Sequence, residues 1–540
     1  MVSRLVSYAK TSEALVPDMP KAKTLPDLLA ALALDHGTKR AVIDEFGEIT
    51  FSELNTRSKK LALGLSIAGI RSGDRVGLIA ENGIDWLTVL FGVGMVGATA
   101  VLFSTWATLD ELSFLVADSD CKIIFATRDF NGRDFTSDFS VIMNDSASRI
   151  IAIGDAQTKE NRTLNGLLND GADQLMSAAA PHDDAMILYT SGSTSKPKGV
   201  RLIHCDLIEN GYHIGTRQGL RHGDRVFVPV PLFWAFGGAN ALPAAMTHAA
   251  TLVVPRRFDA ARALMLIEHH SCTAIYTLPS ITAALIQQPD FSIRRVESLR
   301  TGLTIGSPQD FRRAVEKLGV QELCNVYGST ETYGNCAVTS HQMSLDRRAE
   351  CQGTPLPGQE LRFRDRETGS LLVCGEIGLT EVRGRISPGY FGKTSTENKS
   401  AFTVDGYYCT EDLGYLDVDG AFVFIGRASE MIKRAGINVS PAEVEDVLLR
   451  CSGISAAAVV GVSNSLLGEA IVAYVTSRDE TINADKLRAH CLVLLSKYKL
   501  PDHIEIVERL PVTATGKLQR KAVKEMASAL NLAGGEGSIL

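Results

Sequence analysis

The chain has 540 residues, 45% of them apolar and 22% charged, and 55 Lys and Arg against 62 Asp and Glu leave a net charge of −7. That length exceeds one hydrophobic core and predicts several subdomains of ordinary globular composition. The acidic balance offers no basic footprint for nucleic acid, and ten cysteines without a Cys-x-x-Cys pair or a His/Cys cluster predict neither a zinc site nor a disulfide framework, only reduced thiols in a cytoplasmic protein.

Residues 1–10 lack the long apolar segment of a signal peptide. Leu25 to His36 reads as an amphipathic helix, and Ala41–Asp44 and Glu48–Phe51 read as a hairpin around Glu45-Phe-Gly47. Ser52 is expected to start a helix with Leu54, Leu61, Leu63 and Leu65 on its apolar side, and Arg75–Ala80 is a buried strand. Trp86 to Leu109 carries no charge and is long enough to cross a bilayer. Gly92, Gly94, Gly97, Ser104 and Thr105 divide it, however, so a buried helix followed by a strand over Ala98–Phe103 is expected, with no membrane span. Strand–helix alternation continues to about residue 180 and predicts α/β layers with largely parallel sheets. Asp155 to Asp184 is polar and reads as a surface excursion.

Ala185–Tyr189 is a short apolar run ending in Thr190, Ser191, Gly192, Ser193, Thr194, Ser195, Lys196, Pro197, Lys198 and Gly199. Small hydroxyl residues around a glycine let backbone N–H groups converge on one point and add donors of their own, while the lysines add positive charge. The run suits a polyphosphate, although such composition alone also fits a solvated loop. It is not the Gly-x-x-x-x-Gly-Lys-Ser/Thr loop of strand–loop–helix nucleotidases.

Further on, Arg225–Gly237 is a strand running into an aromatic turn, and Thr251–Val254 and Ala274–Thr277 are strands with a helical segment between them. From about residue 370 short runs and turns such as Val418-Asp-Gly420 predict a small β-rich subdomain. A composition change near Arg427 marks a hinge. Ser440-Pro-Ala-Glu443 supplies an N-cap, a Pro at the first helical position and a capping-box Glu, and Val444, Val447 and Leu448 form that helix's apolar face. Residues 532–540 hold three glycines and are expected to be loose.

The order Thr190-Ser-Gly-Ser-Thr-Ser-Lys-Pro-Lys-Gly199 resembles the phosphate loop of the adenylate-forming superfamily, with Ser195 where most members carry glycine. Three further motifs, in order, extend the resemblance over residues 25–525. Tyr327-Gly328-Ser-Thr-Glu-Thr332 is similar to the segment whose Thr contacts phosphate and whose Glu binds Mg²⁺, which implies those roles for Thr330 and Glu331; a hard cation needs no more than one or two carboxylates beside phosphate oxygens. Tyr408-Cys-Thr-Glu-Asp412 with Phe424-Ile-Gly-Arg427 resembles the ribose-binding pair, giving Asp412 and Arg427, with Glu411 in place of the common glycine. Pro511-Val-Thr-Ala-Thr-Gly-Lys517 resembles the loop of the catalytic lysine, Lys517, a cation able to bridge two approaching anions.

The resemblance also implies adenine between Gly306-Ser307-Pro308 and Tyr327, a pivot at Ser429 where relatives carry Asp or Lys, and Gly436 along the pantetheine arm of CoA. It implies an α/β fold: a large N-terminal domain (1–427) of layered α/β subdomains plus a small β-rich subdomain, and a small mobile α+β C-terminal domain (428–540). The implied activity joins a carboxylic acid to CoA through acyl-AMP, with ATP and CoA as co-substrates and Mg²⁺ as cofactor. Pro231 to Phe258 holds no Asp or Glu, whereas amino-acid-activating relatives place an Asp near Ala235 for the substrate ammonium. An acid without an α-amine is therefore expected: fatty, alicyclic or aromatic. Trp234 stands where relatives carry a gating aromatic or His, and Phe233, Phe236, Gly237, Tyr276, Leu303, Tyr333 and Gly334 line an apolar pocket or belong to the plain core. Loading a carrier-protein pantetheine, a luciferase-like oxygenase and a non-enzymatic nucleotide binder are the competing readings, and Lys517 speaks against the last. A homodimer is left open.

Overall fold

The computed structural model describes residues 17–143, 149–154, 162–168, 176–190, 197–392, 398, 400–434, 437–464, 467–479, 481–495, 497–513 and 518–530. The expectations for Ser191, Gly192, Ser193, Thr194, Ser195, Lys196, Gly436, Lys517 and residues 532–540 lie outside them.

Among the described residues, a first sheet runs in the order Arg162–Thr163, Ile150–Ile153, Ile123–Thr127, Arg75–Ile79, Thr99–Leu102, Asp184–Thr190, Lys198–Ile203. All its pairings are parallel but the last. A second sheet runs Thr354–Pro355, Ala337–Val338, Glu322–Tyr327, Thr301–Thr304, Ala274–Tyr276, Arg225–Phe227, Thr251–Val253, Arg40–Ile43, Glu48–Thr50. Its centre is parallel and both ends are antiparallel. Fully buried strands of this kind are covered on both faces by the crossover helices. One continuous apolar core takes in Leu78 and Leu102 of the first sheet and Ile275 and Leu303 of the second.

The charge-free stretch resolves as expected into a helix, Ile84–Met95, and a strand, Thr99–Leu102. Twelve residues span only about 18 Å at 1.5 Å each, too short for a bilayer. Gly92 faces Leu61 of the helix Phe51–Ile67, and a Cβ there would stand 2.9 Å from a Leu61 methyl, so the two helices approach closely. That neighbouring helix starts one residue before the expected Ser52, because Thr50 forms the capping box with Glu53, and Leu63 on it is only half-buried. The excursion before Asp184 is not wholly superficial: Arg162–Thr163 pairs at the first sheet's edge, and Leu164 and Leu167 are buried. No described helix is long and apolar enough to cross a membrane.

The β-rich subdomain begins at Glu360, ten residues earlier than expected, as the antiparallel sheet Glu360–Arg364, Gly378–Arg383, Tyr408–Leu416, Phe422–Arg427. Past Arg427 a turn over Ala428–Glu430 leads into a smaller α/β domain. Its long hairpin, Ile454–Asn464 with Gly468–Ser477, packs the helix Pro441–Leu449 through Val444, Val447 and Leu448. Pro441 holds the first helical position, but the expected capping box does not form. The Ser440 hydroxyl instead donates to the Ile425 carbonyl of the β-rich subdomain at 2.8 Å, and Glu443 pairs with Lys499 at 2.6 Å.

Candidate active site

Because the central strands of the second sheet are parallel, the loops after Phe227, Tyr276, Thr304 and Tyr327 leave from one edge. That is where open α/β sheets bind ligands. Three of the sequence motifs lie on these loops. The phosphate motif starts at the end of Asp184–Thr190 in the first sheet, and Thr190 faces Lys198 in antiparallel register.

Gly328 lets the chain double back after Tyr327: a Cβ there would stand 2.4 Å from the Gly334 carbonyl oxygen. The tight turn Thr330–Thr332 follows, closed by Tyr333 at φ +57°. Within it Thr330 is half-buried and Glu331 buried. The Glu331 carbonyl accepts the Ser387 N–H at 2.7 Å, and its Oε1 accepts the Tyr390 hydroxyl at 3.0 Å. Tyr408 is buried close enough for the Glu331 charge to act on its hydroxyl. Burial first, then the Glu331 charge, raises both phenols well above their ordinary pKa, so both remain protonated donors. The Lys198 ammonium stands 5.1 Å from the centre of the Tyr390 ring, which ties the end of the phosphate motif to Glu331.

Asp412 and Arg427 face one another across two paired strands, with Arg427 Nε 3.4 Å from Asp412 Oδ1. Asp412 is buried and Arg427 exposed, and Asp412 Oδ2 accepts the Tyr327 hydroxyl at 2.8 Å. Tyr327 therefore joins the second sheet to the β-rich subdomain, its ring lying 4.3 Å from that of Phe422. Burial, then Asp412, holds its hydroxyl protonated. Glu411 adopts φ +61°, which explains a glycine preference at that position. On the next strand end, Gly306 has φ +143° and is exposed, while Ser307 caps the helix Pro308–Leu318 through a capping box with Asp310. Ser429 sits exposed in the Ala428–Glu430 turn.

The aromatic turn is held by Asn82, which belongs to no motif. Buried Asn82 donates to the Val230 carbonyl at 2.9 Å and accepts the Leu232 N–H at 2.8 Å. After it a π-helical turn spans Ala235–Ala241. Gly237 and Gly238 are required there, since a Cβ on either would come within 2.4 Å of the Pro231 or Leu232 carbonyl. Trp234 is half-buried and packs edge-on against Trp106 at 4.9 Å; Trp106 also meets Phe233 at 5.3 Å. Phe236 lies 5.1 Å from Tyr276. Leu303 and Tyr333 are fully buried, and the Tyr333 hydroxyl accepts the Ile203 N–H at 3.2 Å. Gly334 abuts Asn240, 3.1 Å from where its Cβ would be. Trp106, Tyr390 and Asn82 are thus the site neighbours that sequence reasoning missed. Trp106 lay in the charge-free stretch and Tyr390 after a Pro-Gly turn, and neither carries a pattern of its own.

No group of three or more His, Cys, Asp and Glu capable of holding a metal occurs among the described residues. A cation at Glu331 would need the phosphate oxygens of a nucleotide. Glu331 fits that role: it is a buried hard-oxygen donor, oriented by the Tyr390 hydroxyl, whose ring also carries the Lys198 ammonium of the phosphate motif.

The sequence profile of the AMP-binding enzyme family matches residues 29–391, and that of the AMP-binding enzyme C-terminal domain matches residues 443–517. The chain is 28% identical over 536 residues to a putative acyl-CoA synthetase, YngI, of Bacillus subtilis, covering 93% of this chain and 96% of that one. It is 30% identical over 504 residues to the sulfoacetate–CoA ligase of Cupriavidus necator, covering 92% and 96%. The crystal structure of the anthranilate CoA ligase AuaEII in complex with anthranoyl-AMP superposes with a TM-score of 0.86 at 26% identity, over 95% of this chain and 99% of that one. With both profiles matched in order across the fold described above, the chain belongs to the AMP-binding enzyme family.

Proposed function

We propose that the strand-end loops hold ATP, with Thr190 to Thr194 and Lys198 on the phosphates, Glu331 on a Mg²⁺ shared with them, and Asp412 and Arg427 on the ribose hydroxyls. The activity is that of an AMP-forming carboxylate–CoA ligase. The observation that carries the residue roles is the convergence of separate motifs through two phenols: Lys198 and Glu331 meet at Tyr390, and Asp412 meets the Tyr327 strand end.

In the first half-reaction a carboxylate oxygen of the acid attacks the α-phosphorus of ATP. The bond to the β-phosphate's bridging oxygen breaks, and pyrophosphate leaves. Lys517 bridges the two anions as they approach, which is electrostatic stabilisation placed where charge accumulates. Mg²⁺, when bound, neutralises phosphate charge. In the second half-reaction the CoA sulfur attacks the acyl carbonyl carbon, the bond to AMP breaks, and the thiol proton is released. We take 1–427 and 428–540 as the two domains, the smaller turning about Ser429 so that Lys517 leaves and Gly436 arrives. The two profile matches, separated between residues 391 and 443, support that division.

The pocket reading rests on Trp106, Phe233 and Trp234, an aromatic cluster with no carboxylate in Pro231–Phe258. It suits an apolar acid without an α-amine. Ten unpaired cysteines support a reducing cytoplasmic setting, and a homodimer is a further proposal. The test is acid-dependent ATP–pyrophosphate exchange over fatty, alicyclic and aromatic acids, read beside thioester formation with CoA. Exchange with acids together with acyl-CoA product is expected. Exchange with thioester formed only on a carrier-protein pantetheine would replace CoA as acceptor.

A further inference from the structure

The strap Arg383–Phe391 between the β-rich subdomain and the first sheet carries none of the sequence motifs, yet it touches two of them at once. Its backbone is stitched to the strand that leaves the phosphate motif: Phe391 N–H donates to Gly199 O at 2.7 Å and Arg201 N–H to Gly389 O at 3.4 Å. On the other side Ser387 N–H donates to Glu331 O at 2.7 Å. Between these anchors stands Tyr390, only 8% exposed, its backbone bridged to Val200 and its ring 6.0 Å from Phe402. Its hydroxyl reaches Glu331 Oε1 at 3.0 Å, and its ring face lies under the Lys198 ammonium at 5.1 Å.

A carboxylate offers several lone pairs on two oxygens. A hydroxyl fixed on Oε1 selects one side-chain rotamer and leaves the remaining lone pairs for another electrophile, as partners behind metal ligands do. The ring face meanwhile attracts and places an ammonium without consuming any of its three donors.

We propose that Tyr390 is a positioning residue that, through its two faces, aims Glu331 at a divalent cation and Lys198 at the phosphates that share it. This rests on the assignment of Glu331 and Lys198 given above. A packing role alone would make Tyr390 matter for stability and leave cation dependence untouched.

The test uses the full chain saturated with ATP and titrated with MgCl₂, read as the rise in melting temperature. Tyr390→Phe keeps the ring and loses the hydroxyl. It is expected to raise the Mg²⁺ midpoint three- to tenfold while the ATP midpoint at saturating MgCl₂ stays within twofold. Tyr390→Leu removes both faces and is expected to raise both midpoints. In a Glu331→Gln background Tyr390→Phe should add no further shift. A Tyr390→Phe protein with the wild-type Mg²⁺ midpoint overturns the proposal while leaving the Glu331 assignment intact. If Glu331→Gln itself keeps the wild-type midpoint, the assignment fails and takes the proposal with it.

Discussion

Glu411 shows how a single backbone angle bears on this site. At φ +61° its side chain pays roughly 1–2 kcal/mol for left-handed geometry. Its carbonyl meanwhile accepts the Ala428 N–H at 3.0 Å and so sets the turn beyond Arg427. Glu411→Gly should therefore stabilise the fold by about 1 kcal/mol, less than the full strain because glycine also loses more chain entropy. Thermal unfolding checks this, and a lower melting temperature would mean that the Glu411 side chain holds more than its strain costs. One position along, the Asp412 carboxylate receives the Tyr327 hydroxyl in a buried setting. Tyr327→Phe removes that donor beside a charged acceptor, and a loss of about 1.5–3 kcal/mol is expected. Weaker ATP binding by titration should accompany it, since the Tyr327 hydroxyl no longer fixes Asp412 Oδ2. Unchanged affinity would separate Asp412 from the nucleotide.

At the scale of elements, the helix Leu25–Asp35 is moored by its first N–H, which Leu25 donates to His204 Nδ1 at 3.3 Å. The bond needs a neutral ring nitrogen, and burial lowers the His204 pKa from 6.5 to about 4. A folded-state pKa below the unfolded one means that the unfolded chain takes up the proton first. The stability is complete above about pH 6.5 and drains as the pH falls toward 4. At pH 5 the deficit from this residue is about 2 kcal/mol. The melting temperature of His204→Asn should accordingly fall less between pH 7 and pH 5 than that of the parent chain. An equal fall in both would assign the acid sensitivity elsewhere, buried His248 and half-buried His213 also having pKa values that burial lowers to about 4.

The same scale shows what could be read in advance. The helix Ile84–Met95 was legible because ten consecutive buried residues leave a charge-free run no surface helix can carry. Thr330, Glu331, Asp412 and Arg427 could be singled out because motif order along the chain is enough to carry the adenylate-forming resemblance; their roles stay proposals. Tyr390, Asn82 and Trp106 were not, for their roles come from residues more than fifty positions away and from no local pattern. Ser440 misled for the opposite reason: its local pattern is a sound cap, and a carbonyl across the domain boundary outcompeted it.

For the whole molecule, the question is which half-reaction each domain serves. Val512 is bridged to Leu518, and Gln519 N–H donates to Pro511 O at 3.0 Å. Beside this bridge Arg520 grips half-buried Glu445 at 2.6 and 2.8 Å and reaches Glu430 of the turn at 2.9 Å. If Lys517 acts only in adenylation, Lys517→Ala should slow acyl-AMP formation by about 10²–10³, or 3–4 kcal/mol. It should spare thioester formation from pre-made acyl-AMP. A bulky residue at Gly436 should do the reverse. Single-turnover thioester formation beside pyrophosphate exchange reads both, and equal loss of the two activities in a folded Lys517→Ala protein would end the division of labour.

Ser440 bears on the cost of such a rotation. Its hydroxyl spans the boundary to Ile425, while the helix it precedes begins without a side-chain cap. A turn of the smaller domain that pulled Ser440 away from Ile425 would let the hydroxyl return to the N–H groups of its own helix, which no side chain caps. One acceptor would be given up and one donor satisfied, so in the rotation proposed above the serine would act as a toggle with a rest position on either side. The count of hydrogen bonds it makes would then be the same at the two ends of the stroke, so this contact would favour neither docking.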